Sequence, residues 1–253
     1  METVIDVKGL CKTYIVNKYS NNVLRNIDFT LSEGEFVTIM GPSGSGKSTM
    51  LYTVSGMDKA TSGEVTFLGK SYADLKDKEM AKVRLVSMGF IFQQMYMMSK
   101  LCILDNILLP GYHAGLVDRA KVREDAEMLM RRLGIMEVAD NAINEVSGGQ
   151  LQRACLCRAL INHPKVLFAD EPTGALNSKA ANEVIQELVN VNKDGTAIMM
   201  VTHSARVAAA SDRVIYLIDG HIEGEIELGK LEDIADLGVR EREINKWLMA
   251  QGW

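Results

Sequence analysis

The chain has 253 residues, with 28 Lys and Arg against 33 Asp and Glu, a formal net charge of −5. Hydrophobic residues at 47% and charged residues at 24% are ordinary globular usage and exclude a disordered chain. The acidic balance argues against duplex nucleic acid as the main partner, because phosphate binding needs a basic face. No stretch approaches the roughly 18–20 apolar residues needed to span a bilayer.

From the start, Met1 to Asp6 has neither the basic nor the apolar region of a secretory signal. Val4–Tyr14 and Val23–Leu31 read as alternating, half-buried strands, the second closed by Ser32, Glu33 and Gly34. Glu35–Met40 is a short apolar strand running into a glycine-rich loop. Apolar strands of the same kind recur at Met88–Phe92, Val166–Ala169, Ala197–Val201 and Val214–Ile218. Asp118 can cap a helix with Val122, Ala126, Leu129 and Leu133 on one face, stopped by Gly134. Ser178 can open another, with Ala181, Val184, Ile185 and Leu188, stopped near Gly195. The tail from Lys230 to Trp253 carries spaced apolar residues that predict one or two amphipathic helices packed on their own domain, since its charge is mixed. Strands alternating with helices predict an α/β fold with a mainly parallel sheet, preceded by an N-terminal antiparallel β region. The whole chain, 1–253, reads as one unit. Its core is at about 1–93 and 163–229, with an inserted helical lobe at about 94–162 and a tail at about 230–253. Cys11, Cys102, Cys155 and Cys157 lack metal-site spacing and read as buried, reduced thiols of a cytoplasmic protein.

Gly41-Pro42-Ser43-Gly44-Ser45-Gly46-Lys47-Ser48, followed by Thr49, fits the phosphate-loop pattern and predicts a P-loop NTPase core. Its glycines let backbone N–H groups approach phosphate oxygens without a Cβ in the way. Lys47 places charge on the β- and γ-phosphates, the Ser48 hydroxyl can ligate Mg²⁺, and the helix opening at Thr49 turns its positive end to the anion. The strand Val166–Ala169 ends in Asp170 and Glu171. Asp170 is the candidate metal carboxylate, and Glu171 the base that polarises the attacking water. Ala197–Thr202 ends in His203, where a neutral imidazole could donate to the γ-phosphate. Gln93, at the entry to the helical lobe, can bond the metal or its water, with Gln94 its competitor. Met88, Met95, Met97 and Met98 around it fit either core gap-filling or an adaptable partner groove.

Ser147-Gly148-Gly149-Gln150 offers a second anion-binding helix start. Followed by Leu151, Gln152 and Arg153, it resembles the signature of the ATP-binding cassette family, with Val146 where Leu is usual. The order of phosphate loop, Gln93, signature, Asp170-Glu171 and His203 is similar to that family over nearly the whole chain. Gly89–Gln93, Asn106–Pro110 and Asp170–Leu176 are most similar to the macrolide-exporter and lipoprotein-release branch, and within it to bacitracin-type antimicrobial-peptide transporters.

The resemblance implies ATP and Mg²⁺ as ligands and Tyr14, in Lys12-Thr13-Tyr14, as the adenine-stacking aromatic. It also implies a head-to-tail homodimer with each ATP between Lys47 of one subunit and Ser147–Gly149 of the other. The implied partner is a membrane permease on a separate chain, with the ATPase at the inner face of the cell membrane and no span of its own. Asn177 stands where the family has an aspartate, which keeps an acceptor oxygen and removes a charge. A soluble cassette ATPase acting on nucleic acid or the ribosome is the competing reading. It is weakened by the single cassette and by the lack of inserted coiled-coil or zinc modules.

Overall fold

The computed structural model describes residues 2–253. Strands β1 (Thr3–Val16) and β2 (Tyr19–Ser32) form a long antiparallel hairpin. Its turn residues Asn17 and Lys18 have φ of 51° and 67°, the left-handed pair that suits a two-residue hairpin loop. Strand β3 (Phe36–Met40) and helix α1 (Lys47–Val54) follow. Then β4 (Ser62–Phe67) and β5 (Lys70–Ser71) close a four-stranded sheet of order β2-β1-β4-β5.

Helix α2 (Asp77–Ser87) leads into β6 (Met88–Ile91). Three helices come next: α3 (Ile103–Ala114), α4 (Arg119–Arg132) and α5 (Gly148–Leu160). An isolated bridge between Cys102 and Ala142 is the sole strand-like pairing in this stretch among the described residues. Asp118 caps α4 by accepting from the Lys121 N–H, and Gly134 beyond its end has φ 61°, as the sequence predicts.

The second half alternates β7 (Val166–Asp170), α6 (Ser178–Lys193), β8 (Ala197–Val201), α7 (Ala205–Ala208), β9 (Arg213–Ile218), β10 (His221–Glu227) and α8 (Leu237–Ala250). The central sheet has six strands in the order β10-β9-β3-β8-β7-β6. All its pairings are parallel except that of β10 with β9.

Every residue of β3, β7 and β8 is buried, the pattern of a parallel sheet covered on both faces. Alternation divides them. Val37, Ile39, Phe168, Met199 and Val201 join the antiparallel sheet and α1 in one core. Phe36, Met40, Leu167, Ala169, Ile198 and Met200 face a second core built with the helices of the lobe, α6 and α8. Leu237, Ile244 and Leu248 bury the inner face of α8 there, and Trp247 meets Tyr216 edge-on at 6.2 Å. The tail therefore packs on its own domain.

One expectation is corrected. Cys155 and Cys157 are buried, with burial pushing both thiols up (Cys155 to about 11), but Cys11 and Cys102 are only half-buried. All four are free thiols. Of the methionines around Gln93, Met88 belongs to the core, whereas Met98 is exposed.

Candidate active site

In open parallel sheets, ligand-contacting residues gather just beyond the carboxyl ends of the strands. Here β8 lies between β3 and β7. The loop from Gly41 to Gly46 leaves β3, Asp170 ends β7 with Glu171 next, and Thr202 and His203 follow directly on β8. Three neighbouring strands thus deliver the predicted groups to one edge.

Gly46 is the N-cap of α1 with φ 103°. A Cβ there would stand 2.8 Å from the Val23 carbonyl oxygen and 3.1 Å from Leu24 Cδ2. Only glycine meets both conditions without strain. Gly46→Ala is expected to lower ATP affinity about tenfold or more, because the loop must shift to admit a methyl group. Equilibrium titration with a fluorescent ATP analogue reads this, and an unchanged affinity contradicts it.

Lys47 Nζ donates to the carbonyls of Gly41 and Pro42, both at 2.8 Å, folding the side chain across its own loop. Burial holds its ammonium below the usual lysine range, while Glu171 and Asp170 pull it back up. Ser48 Oγ donates to Asp170 Oδ1 at 3.0 Å, and Tyr52 Oη donates to Asp170 Oδ2 at 2.7 Å. Sequence reasoning missed Tyr52. It lies one helical turn beyond Ser48, so the two side chains share a face of α1.

Asp170 is 4% exposed, and the two hydroxyls are the only side-chain partners recorded for it among the described residues. No group of three His, Cys, Asp or Glu side chains able to hold a metal is found among the described residues. One buried carboxylate and one hydroxyl, both hard oxygen donors beside a phosphate loop, fit Mg²⁺, which commonly takes one or two carboxylates plus substrate phosphates.

Glu171 has φ 47°, an unusual backbone for a non-glycine residue, fixed by its N–H donating to the Val201 carbonyl at 2.9 Å. This geometry sets its side chain against β8. Oε1 is 2.9 Å from His203 Nδ1, and Oε2 accepts from Thr202 Oγ1 at 3.3 Å. Gln93 is exposed, two residues past the end of β6, and no described side-chain hydrogen bond joins it to Ser48 or Asp170.

Tyr14 is 37% exposed. Its hydroxyl donates to Asp58 Oδ2 at 2.6 Å, and Lys12 Nζ sits 4.6 Å from the ring centroid while bonding Asp58 Oδ1 at 2.7 Å. Burial pushes the Asp58 carboxyl up, but the bonds from Lys12 and Tyr14 outweigh it and hold the carboxyl low. The ring is thereby fixed in orientation by two neighbours that the sequence did not connect to it.

Ser147 caps α5 through a reciprocal box with Gln150: the Gln150 N–H donates to Ser147 Oγ at 3.3 Å, and the Ser147 N–H to Gln150 Oε1 at 2.9 Å. Ser147 and Gly148 are exposed, and among the described residues no hydrogen bond joins 147–150 to the phosphate loop. The two helix starts are separate. Arg158, on the last turn of the same helix, donates to the Met95 and Tyr96 carbonyls at 2.8 Å each. Asn106 of α3, 2% exposed, clasps the other end of that segment through the Met98 N–H and carbonyl. Asn177 Oδ1 accepts from the Ala180 N–H at 2.9 Å, so the uncharged residue still caps α6.

With this fold and this ordered set of motifs, the chain belongs to the ABC transporter family, whose model matches residues 24–174. It is an ATPase subunit of that family and hydrolyses ATP.

Among similar proteins, the ABC transporter ATP-binding protein YknY of Bacillus subtilis is 38% identical over 87% of this chain and 95% of its own length. The bacitracin export ATP-binding protein BceA of Halalkalibacterium halodurans is 40% identical over 89% of each chain. The dimeric structure of the cassette MJ0796, from Methanocaldococcus jannaschii, superposes with a TM-score of 0.84 at 39% identity, covering 90% of this chain and all of that one. The same cassette is also known in a dimeric post-hydrolysis state bound to ADP and Pi. The chain spans about a third of the macrolide export ATP-binding/permease protein MacB of Psychrobacter arcticus, at 40% identity. No helix among the described residues is long and apolar enough to cross a membrane.

Proposed function

We propose that two copies of this chain close head to tail around two MgATP molecules and drive a separate membrane permease that confers resistance to antimicrobial peptides or exports them. One observation carries the reading: the phosphate loop, Asp170, Glu171 and His203 meet at one sheet edge, while Ser147 and Gly148 face outward on the lobe. A second copy would supply the signature half of each site. The relative named for bacitracin export supports the substrate class, and the one in which ATPase and permease share a name supports a permease partner.

In this reading the loop N–H groups and Lys47 hold the β- and γ-phosphates, and Tyr14 stacks on the base. Ser48 and Asp170, with Gln93 from the lobe, would hold Mg²⁺, which supplies charge neutralisation on the phosphates when bound. Glu171 accepts a proton from the attacking water as its oxygen bonds the γ-phosphorus and the bond to the ADP oxygen breaks.

The contact between His203 and Glu171 constrains the histidine's tautomer. A neutral His203 that donates Nδ1–H to the carboxylate has a bare lone pair at Nε2. It cannot also donate from Nε2 to the γ-phosphate. Donation from Nε2 to the γ-phosphate requires the other tautomer, with Nδ1 bare and accepting, and Glu171 can be the donor to that Nδ1 only when its carboxyl is protonated.

The reading places the ATPase at the inner face of the cell membrane only when its permease is present. Cell fractionation should find the chain in the membrane fraction on co-expression with that permease and not without it. In the same strain the pair should raise bacitracin tolerance. Tight membrane association of the chain alone, or no gain in tolerance, overturns this proposal.

A further inference from the structure

Asp170 holds a negative charge almost entirely out of water, and a buried carboxylate needs a partner on each oxygen to keep one orientation. Its two oxygens are divided between two donors. Ser48 takes Oδ1 from the phosphate loop, and Tyr52 takes Oδ2 from within α1. A tyrosine hydroxyl carries its proton near neutral pH and so acts toward Asp170 Oδ2 as a donor. The ring itself is braced: its centroid lies 6.3 Å from that of Phe92, the residue immediately before Gln93, and Phe92 in turn meets Phe90 stacked at 5.9 Å. Tyr52 is thus held by packing on one side and spends its one donor on the metal carboxylate.

We propose that Tyr52 is a positioning residue for the divalent cation: its hydroxyl pins Asp170 Oδ2, leaving Oδ1 and Ser48 Oγ turned toward Mg²⁺. This rests on the reading of Asp170 as the metal carboxylate. Three consequences separate it from a purely structural role. Among the described residues the hydroxyl bonds Asp170 and makes no hydrogen bond to the loop at 41–46, so binding of ATP without Mg²⁺ should not depend on it. Removing the hydroxyl while keeping the ring preserves the packing against Phe92. The deficit should therefore fall on the cation alone.

The test uses Tyr52→Phe in the full chain, with bound cation followed by the magnetic-resonance signal of Mn²⁺ and by Mg²⁺ competition against it. ATP affinity is measured separately in chelator. The cation midpoint is expected to rise about tenfold, as for loss of one hydrogen bond to a charged group, while ATP affinity in chelator stays within about twofold. An unchanged or tighter cation midpoint overturns the proposal. So does a parallel loss of ATP affinity in chelator, which would show that α1 and its loop had moved. Asp170→Asn is run beside it. If that variant keeps the full cation response, the reading of Asp170 itself fails; if it loses the response while Tyr52→Phe does not, only the role of Tyr52 fails.

Discussion

Lys47→Ala is expected to remove hydrolysis and nearly all nucleotide affinity. The ammonium sits half-buried across the loop, bonded to the Gly41 and Pro42 carbonyls, within the field of Asp170 and Glu171. Alanine deletes the positive side chain nearest the incoming phosphates and leaves two carboxylates facing a polyanion. Loss of a charged donor aimed at a phosphoryl group costs about 10²–10³-fold in rate, and the exposed repulsion adds to that. Phosphate release and equilibrium ATP binding on purified protein measure both effects. Turnover near the wild-type level would refute the assignment of the loop.

Glu171→Gln separates binding from chemistry. Glutamine nearly matches glutamate in shape, so the strained backbone at φ 47° and the approach to His203 can persist. It cannot accept the water's proton, and loss of a general base costs about 10²–10⁴-fold. ATP should then remain uncleaved and hold two subunits together, whereas ADP lacks the γ-phosphate that the second copy's signature would contact. Light scattering after size exclusion should show more dimer with ATP and Mg²⁺ than with ADP. In the assembled transporter, full turnover by Glu171→Gln, or by Ser147→Arg, would mean the shared site does not exist.

The elements most legible in the sequence are those whose burial is complete or strictly periodic. The wholly buried strands β3, β7 and β8 read as apolar runs, and α4 and α6 carry both a cap and a stripe. Strand β4 was invisible because it opens on Ser62, Gly63 and Glu64 and buries only Val65 and Phe67. Its pairing with β1, Ile5 opposite Phe67 and Val7 opposite Val65, makes it a strand. Helix α2 buries Met80 alone, too little for a stripe. Strand β10 could have been found: Asp219-Gly220, with φ of 46° and 81°, is a strong hairpin signal, and Ile222, Gly224 and Ile226 alternate after it. In the site, contiguous motifs were readable and partnerships across the chain were not. Tyr52 meets a carboxylate 118 residues away, and Tyr14 depends on Asp58, 44 residues on. Neither pairing leaves a local pattern.

The fastening of segment 95–98 by Arg158 and Asn106 gives helix α5 a mechanical meaning. Arg158 grips two carbonyls just past Gln93, and Ser147 stands at the opposite end of the same rod, roughly 16 Å away at helical rise. A rod held at one end by charged donors and at the other by a capping box does not stretch. A displacement of the 95–96 backbone is therefore passed to α5, and so to Ser147 at its other end, without a flexible loop between them to absorb it.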